Sequence, residues 1–328
     1  MKINTLPIKD RLLEKVHAYY QTIWQDKFKD NIHIDWLNNF SGSNAVLSEK
    51  EQLNMLYLLS KFMYFGNVEL RELLTALYRD LYKYPIISAI RKANADSTDC
   101  SFLSAEFQKE LAVTKFLGVG NPSESGVHLL YYFRQECKLS KKHFINTSDI
   151  FETFKVEDLD KDGNKRSYLK SEIKIKDVKR YIFIDDFCGS GQQATSYLKP
   201  IAENIKFENP DIEIKYLMLF ATANGLAEVR KVKAFDNVDA VFTLDNSFKA
   251  FSADSRYFKT NVDNDIEKAF SKATAEKYGV PLFNPSLGYG DCQLLFSLFH
   301  NTPDNSLPIF WSDANNWKPI FKRYYKIY

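Results

Sequence analysis

Apolar residues recur at helical spacing through the first hundred positions of the chain and then give way to short unbroken runs. Leu12, Leu13, Val16, Tyr19, Tyr20 and Ile23 predict a helix within Ile8 to Lys27. Ser48-Glu49-Lys50-Glu51 has the form of a capping box ahead of Leu53, Leu56, Tyr57 and Leu59. Asn67 is placed to cap a third helix carrying Leu70, Leu73, Leu74 and Leu77. Stripes of this kind normally face a core, so residues 1–100 are expected to form a packed helical region rather than a partner groove.

Beyond the polar run at 93–98, strands and helices alternate. Val113 to Leu117 predicts a strand, Gly118 to Ser123 a glycine turn, 125–137 a helix and 143–146 a strand. A charged stretch, 154–180, leads to the strand Tyr181-Ile182-Phe183-Ile184; a helix over 192–206 and a strand over 214–221 follow, then a helix over 226–232 and a strand over 240–244. This order predicts an α/β fold with a mainly parallel sheet. The expected division is a helical N-terminal region, a core over 101–245, and a C-terminal α/β extension over 246–328 packed on that core.

Composition narrows the class. The chain has 328 residues, 45% hydrophobic and 26% charged, which are the shares of a folded globular protein. Lysine and arginine number 44 against 42 acids, so a generally basic nucleic-acid-coating protein is excluded. Cys100, Cys137, Cys188 and Cys292 show no paired spacing, which argues against a zinc site or a disulfide framework. No apolar run approaches the roughly 18–20 residues that span a bilayer, and a cytoplasmic location is expected.

The segment richest in chemistry is Asp185-Asp186-Phe187-Cys188-Gly189-Ser190-Gly191-Gln192-Gln193, directly after the strand 181–184. Strands of open α/β sheets deliver ligand-binding groups at their carboxyl ends. Two carboxylates there suit sugar hydroxyls or a metal ion. A glycine loop running into a helix suits a phosphate, because backbone amides and the helix dipole converge on one point. Acids and phosphate loop together are the footprint of a sugar phosphate.

This run resembles the phosphoribosyl-pyrophosphate (PRPP) motif of type I phosphoribosyltransferases, and element order over 113–245 resembles that fold. With Leu287-Gly-Tyr-Gly-Asp291-Cys-Gln and the segment His300 to Trp311, the chain more specifically resembles phosphoribosyltransferase-like effectors of bacterial conflict and antiphage cassettes, including retron-associated ones. The resemblance implies that Asp185 and Asp186 hold the ribose hydroxyls or a metal, and that Gly189, Ser190, Gly191, Gln192 and Gln193 wrap the 5′-phosphate. It also implies that Gly118 and Gly120 face a pyrophosphate with its Mg²⁺, and that 148–178 holds a long flexible loop. Gln193 departs from the second hydroxyl of the family loop. Two functions follow: Mg²⁺-dependent transfer or cleavage at the ribose anomeric carbon, or a non-catalytic nucleotide sensor that docks a partner such as a reverse transcriptase–RNA complex.

Other candidates complete the reading. His300, after the apolar run 294–299, is placed at a strand end as an acid/base group, with Asp291 a similar candidate. Lys165, Arg166 and Lys170 are cations suited to a departing pyrophosphate. Asp158-Leu-Asp160-Lys-Asp162-Gly163 begins like a calcium loop, but Leu169 replaces the bidentate acid, and a hairpin turn is expected. Asp186-Phe-Cys-Gly-Ser-Gly191 also fits motif I of S-adenosylmethionine-dependent methyltransferases, although the next strand ends without a carboxylate. Cys188 at the helix start is a candidate reactive thiol. In the aromatic tail, Tyr324 and Tyr325 beside Lys322 and Arg323 are read as buried rings or a stacking surface.

Overall fold

A computed structural model of the chain describes residues 6–24, 32–120, 125–159, 165–259 and 263–324. Eight strands lie among them: β1 (Met63–Phe65), β2 (Thr114–Gly118), β3 (Phe151–Leu159), β4 (Lys165–Ile173), β5 (Arg180–Cys188), β6 (Glu213–Thr222), β7 (Asn237–Leu244) and β8 (Phe296–Leu298). The expected α/β class is borne out. The chain forms two compact units, Arg71–Thr243 and the joined segments Met1–Leu70 with Leu244–Tyr328. The junctions between the units fall at 70/71 and 243/244, beside an expected division at 100 and 245. The two end segments share one unit, and the helices over 71–112 belong with the sheet.

In the Arg71–Thr243 unit the sheet order is β2-β5-β6-β7, with β2, β5 and β6 mutually parallel. Tyr181, Phe183, Tyr216 and Met218 pack with Leu198, Ala202 and Ile205 of the helix that joins β5 to β6. Tyr82, Phe116 and Phe133 meet edge to face at 5.1 and 5.2 Å between ring centroids, which explains why residues after 71 join this unit. At the amino edge of the sheet, the Arg180 guanidinium pairs with Glu213 and with Glu110 at 3.3 Å, and donates to Thr114 Oγ1 at 3.2 Å. The first residues of β2, β5 and β6 are thereby tied together.

A widened π-type turn leads into each of two helices, Leu77–Lys83 continuing Asn67–Ala76 into Tyr84–Ala93 and Ala194–Leu198 preceding Lys199–Glu208, and each turn runs straight into a proline, Pro85 or Pro200. A proline ring has no N–H to donate and collides with the carbonyl four residues back; widening the turn removes both conflicts. The expected helix over 192–206 accordingly becomes this turn followed by Lys199–Glu208. The expected strand over 143–146 is instead a short turn, Lys141–His143, followed by one isolated bridge between Phe144 and Phe116. β3 and β4 form an antiparallel hairpin where a charged stretch is predicted. Its turn, residues 160–164 with Asp160 and Asp162 of the calcium-loop-like run, lies outside the described residues.

The other unit is built on stacked aromatic rings. Trp36 stacks on Phe310 at 5.0 Å and donates to the Ile309 carbonyl at 2.6 Å, while Phe62 stacks on Phe321 at 4.1 Å. β1 pairs in parallel with β8 across more than two hundred residues of chain. The helix expected from Ser48 begins earlier, at Ala45, because Asn44 accepts the Leu47 amide; Ser48 donates to the Phe40 carbonyl instead. In the tail, Phe321 is buried and Tyr324 is 61% exposed, while Tyr325 lies outside the described residues. Among the described residues no helix is long and apolar enough to cross a membrane.

Candidate functional site

β5 runs further than its apolar pattern indicates. Asp185 pairs with Met218, Phe187 with Phe220 and Cys188 with Ala221, so the acid pair lies inside the sheet rather than beyond its edge. Asp185 is 3% exposed and Asp186 8% exposed. The Tyr216 hydroxyl donates to Asp185 Oδ2 at 2.8 Å, and the Asp186 amide donates to Asp185 Oδ1 at 3.0 Å. Burial, and then the neighbouring Asp186 charge, raise the Asp185 pKa well above the ordinary carboxyl range; the Tyr216 hydrogen bond opposes this only in part. Asp185 thus lies buried between Tyr216 and Asp186, with its proton held more tightly than in an exposed carboxyl.

Both oxygens of Asp185 thus accept from partners inside the chain, the Tyr216 hydroxyl and the Asp186 amide, and Asp186 stands beside it at the next position of β5. Among the described residues no group of three or more histidine, cysteine or acidic side chains is arranged to hold a metal ion. Cys188 is buried, and that burial above all pushes its thiol up to about 12, which suits a core group rather than the candidate reactive thiol.

The glycine loop that follows is held by the next strand and helix. Thr222, the last residue of β6, donates through Oγ1 to the Gly189 carbonyl and accepts the Gly225 amide at 2.9 Å. It thus caps the helix Ala223–Arg230 and pins the loop to it. A trans peptide points its C=O and N–H in opposite directions. With the Gly189 carbonyl turned toward Thr222, the Ser190 amide points the other way. The Gly191 carbonyl accepts the Thr195 amide at 3.0 Å and the Thr195 hydroxyl at 3.1 Å. The Gln192 amide therefore also points away from the helix, toward Ser190 Oγ at 3.3 Å. Gln192 and Gln193 are exposed, and Ser190 is half-buried.

Glycine is required twice here. Gly191 has φ +79°, and a Cβ on it would lie 3.0 Å from the Gly225 oxygen and from Val229 Cγ2. A Cβ on Gly225 would overlap the Gly189 carbonyl oxygen.

Gly118 ends β2 beside Ile184 of β5, and Gly120 follows it. Tyr197, one turn after the loop, donates to the Gly120 carbonyl at 3.4 Å and shares a hydrogen bond with Thr147 at 3.0 Å. The structure thus brings Gly118, Gly120 and residues 185–193 together; the remainder of the expected pyrophosphate turn, 121–123, lies outside the described residues. It does not bring His300 into this sheet. His300 follows β8 in the other unit, edge-on to Phe299. Asp291 belongs to that unit as well, paired with Lys249 at 3.1 Å. Lys165, Arg166 and Lys170 stand on the exposed strand β4, with Lys170 paired to Glu172 at 2.7 Å.

Sequence reasoning missed Tyr216, Thr222 and Tyr197. Tyr216 had a signal: a hydroxyl inside an apolar strand needs a partner, and Asp185 supplies it. Thr222, three residues before Gly225, is a helix-capping signature. It also ends β6 where S-adenosylmethionine chemistry would ask for a ribose-binding acid.

A parallel sheet with an acid pair and a pinned phosphate-type loop at its carboxyl edge defines a phosphoribosyltransferase-like α/β protein. The family model described as PRTase-CE matches residues 33–323, and the chain belongs to that family. Among solved structures, it is similar to the AQ2163 protein from Aquifex aeolicus at 9% identity and a TM-score of 0.29, covering 66% of this chain and 86% of that one. It is also similar to the xanthine-guanine-hypoxanthine phosphoribosyltransferase of Helicobacter pylori at 11% identity and a TM-score of 0.27, covering 56% and 92%. No curated protein matches the chain.

Proposed function

We propose that the chain binds a phosphorylated pentose, PRPP or a ribose-phosphate nucleotide, at the carboxyl edge of β2, β5 and β6. The loop 189–193 takes the 5′-phosphate through its amides, Asp186 accepts from the sugar hydroxyls, and Asp185 is the buried brace whose Oδ1 accepts the Asp186 amide. The observation that carries this reading is the direction of the loop peptides: fixing the Gly189 and Gly191 carbonyls on Thr222 and Thr195 turns the Ser190 and Gln192 amides away from the protein's own helices. Amides so oriented at the start of a helix favour an anion.

Thermal denaturation with PRPP, ribose 5-phosphate, nucleotides and S-adenosylmethionine tests it. A rise in melting temperature is expected with the ribose phosphates, because a ligand that binds only the folded state stabilises it by mass action. A rise with S-adenosylmethionine alone would overturn the reading. The resemblance to effectors of antiphage cassettes supports placing this recognition in bacterial defence, with a cassette partner such as a reverse transcriptase–RNA complex. Phage plating on cells carrying the cassette should then show protection that is lost in Asp186→Asn.

A further inference from the structure

In the unit formed by the two chain ends, the helix Ile8–Thr22 packs on the helix Ala45–Leu59. Leu12 and Val16 of the first are buried in one core with Met55 and Leu58 of the second. Beside that seam two lysines lie over tyrosine rings. Lys15 Nζ is 5.4 Å from the centre of the Tyr19 ring, and Lys61 Nζ is 5.1 Å from that of Tyr57. Both lysines are half-buried.

An ammonium drawn out of water ordinarily takes an acid with it. These two do not. Burial lowers the Lys15 pKa, and burial followed by the Lys15 charge lowers that of Lys61, with no acid acting on either. The two ammoniums therefore repel each other in partly dry surroundings. Arg11, one turn before Lys15, has Asp263 to itself at 3.4 Å, and among the described residues no ion pair reaches Lys15 or Lys61. The rings do not make up the deficit. A ring face attracts a cation without neutralising it, and the Tyr57 hydroxyl is spent on the Tyr257 carbonyl.

We propose that Lys15 and Lys61 form a binding site for a small phosphate monoester, in the unit that does not carry the loop 189–193. Charge and access decide the class. Two unit positive charges match a phosphate dianion, whose free oxygens can accept from both amines at once, whereas a carboxylate brings one charge. Amines half-buried at a helix seam admit a compact group. Lysine suits it as a mobile point charge, with no planar fork to satisfy. Binding removes the repulsion between the two amines and returns to each the hydrogen-bond acceptors that burial took away. The site shares no residue with the proposed ribose-phosphate site, so either can fail alone.

The test is reductive methylation of the full chain by formaldehyde and a hydride donor, mapped lysine by lysine with mass spectrometry. Only the neutral amine attacks the aldehyde. Replacing chloride by inorganic phosphate at equal ionic strength should slow Lys15 and Lys61 by about tenfold, because an amine pKa raised by one unit leaves a tenth of the neutral form. The exposed Lys9 and Lys92 should keep their rates. Acetate, with its single charge, should protect less. Lys61→Gln should abolish the protection of Lys15, and Lys15→Gln that of Lys61, in variants whose circular dichroism matches wild type. Unchanged rates in phosphate, acetate protection as strong as that of phosphate, or protection of each lysine that survives loss of the other would overturn the proposal.

Discussion

Asp185 concentrates the chemistry of the site into one proton. Because burial and Asp186 raise its pKa in the folded chain, the folded state holds that proton more tightly than the unfolded chain does. The resulting stabilisation is fully present below the ordinary carboxyl pKa and is lost as pH rises through the raised one. Asp185→Asn removes the titrating group but keeps only one oxygen for its two donors, the Tyr216 hydroxyl and the Asp186 amide. Melting temperature should therefore fall less steeply with rising pH in the variant than in wild type, whatever the loss common to all pH values; parallel profiles of the two proteins would contradict the raised pKa of Asp185. Gly225→Ala acts on the loop instead. Its methyl group would overlap the Gly189 oxygen and push the loop off Thr222, at a cost of about 1–3 kcal/mol measurable by denaturant titration.

Among the elements, β5 does two jobs at its two ends. Its first residue, Arg180, ties three strand starts together through Glu110, Glu213 and Thr114, while its last residues carry the acids and the loop. Arg180→Met leaves two partly buried acids without their shared cation and should lower unfolding free energy by about 3 kcal/mol without altering the loop, so ligand affinity measured on the folded variant should be unchanged. The β5 strand and its glycine loop were legible in the chain because four apolar residues, two acids and two glycines leave little other choice. The strand's extension through Cys188 was not: carboxylates argue against a buried strand until a tyrosine on the next strand, thirty-one residues away, supplies a partner. The π-type turns before Pro85 and Pro200 show the same limit, since the prolines were visible while the widened turns that accommodate them were not.

At the scale of the whole molecule, the ends of the chain fold as one unit and the middle as another. Local periodicity finds helices well, yet it does not say that Trp36 will stack on Phe310 or that β1 will pair with β8. A chain stopped after Thr243 should accordingly lose structure over residues 6–70 while 71–243 stays folded; limited proteolysis with mass spectrometry should find early cuts confined to the first segment, and equal protection of both would contradict the division. The central claim, that Asp186 meets the sugar while Asp185 only braces it, is tested most directly by calorimetric titration of PRPP into wild type, Asp185→Asn and Asp186→Asn. The account predicts binding to the first two with similar affinity and at least about a tenfold loss in the third. Equal loss in both variants, or no heat with any of the three, would contradict it.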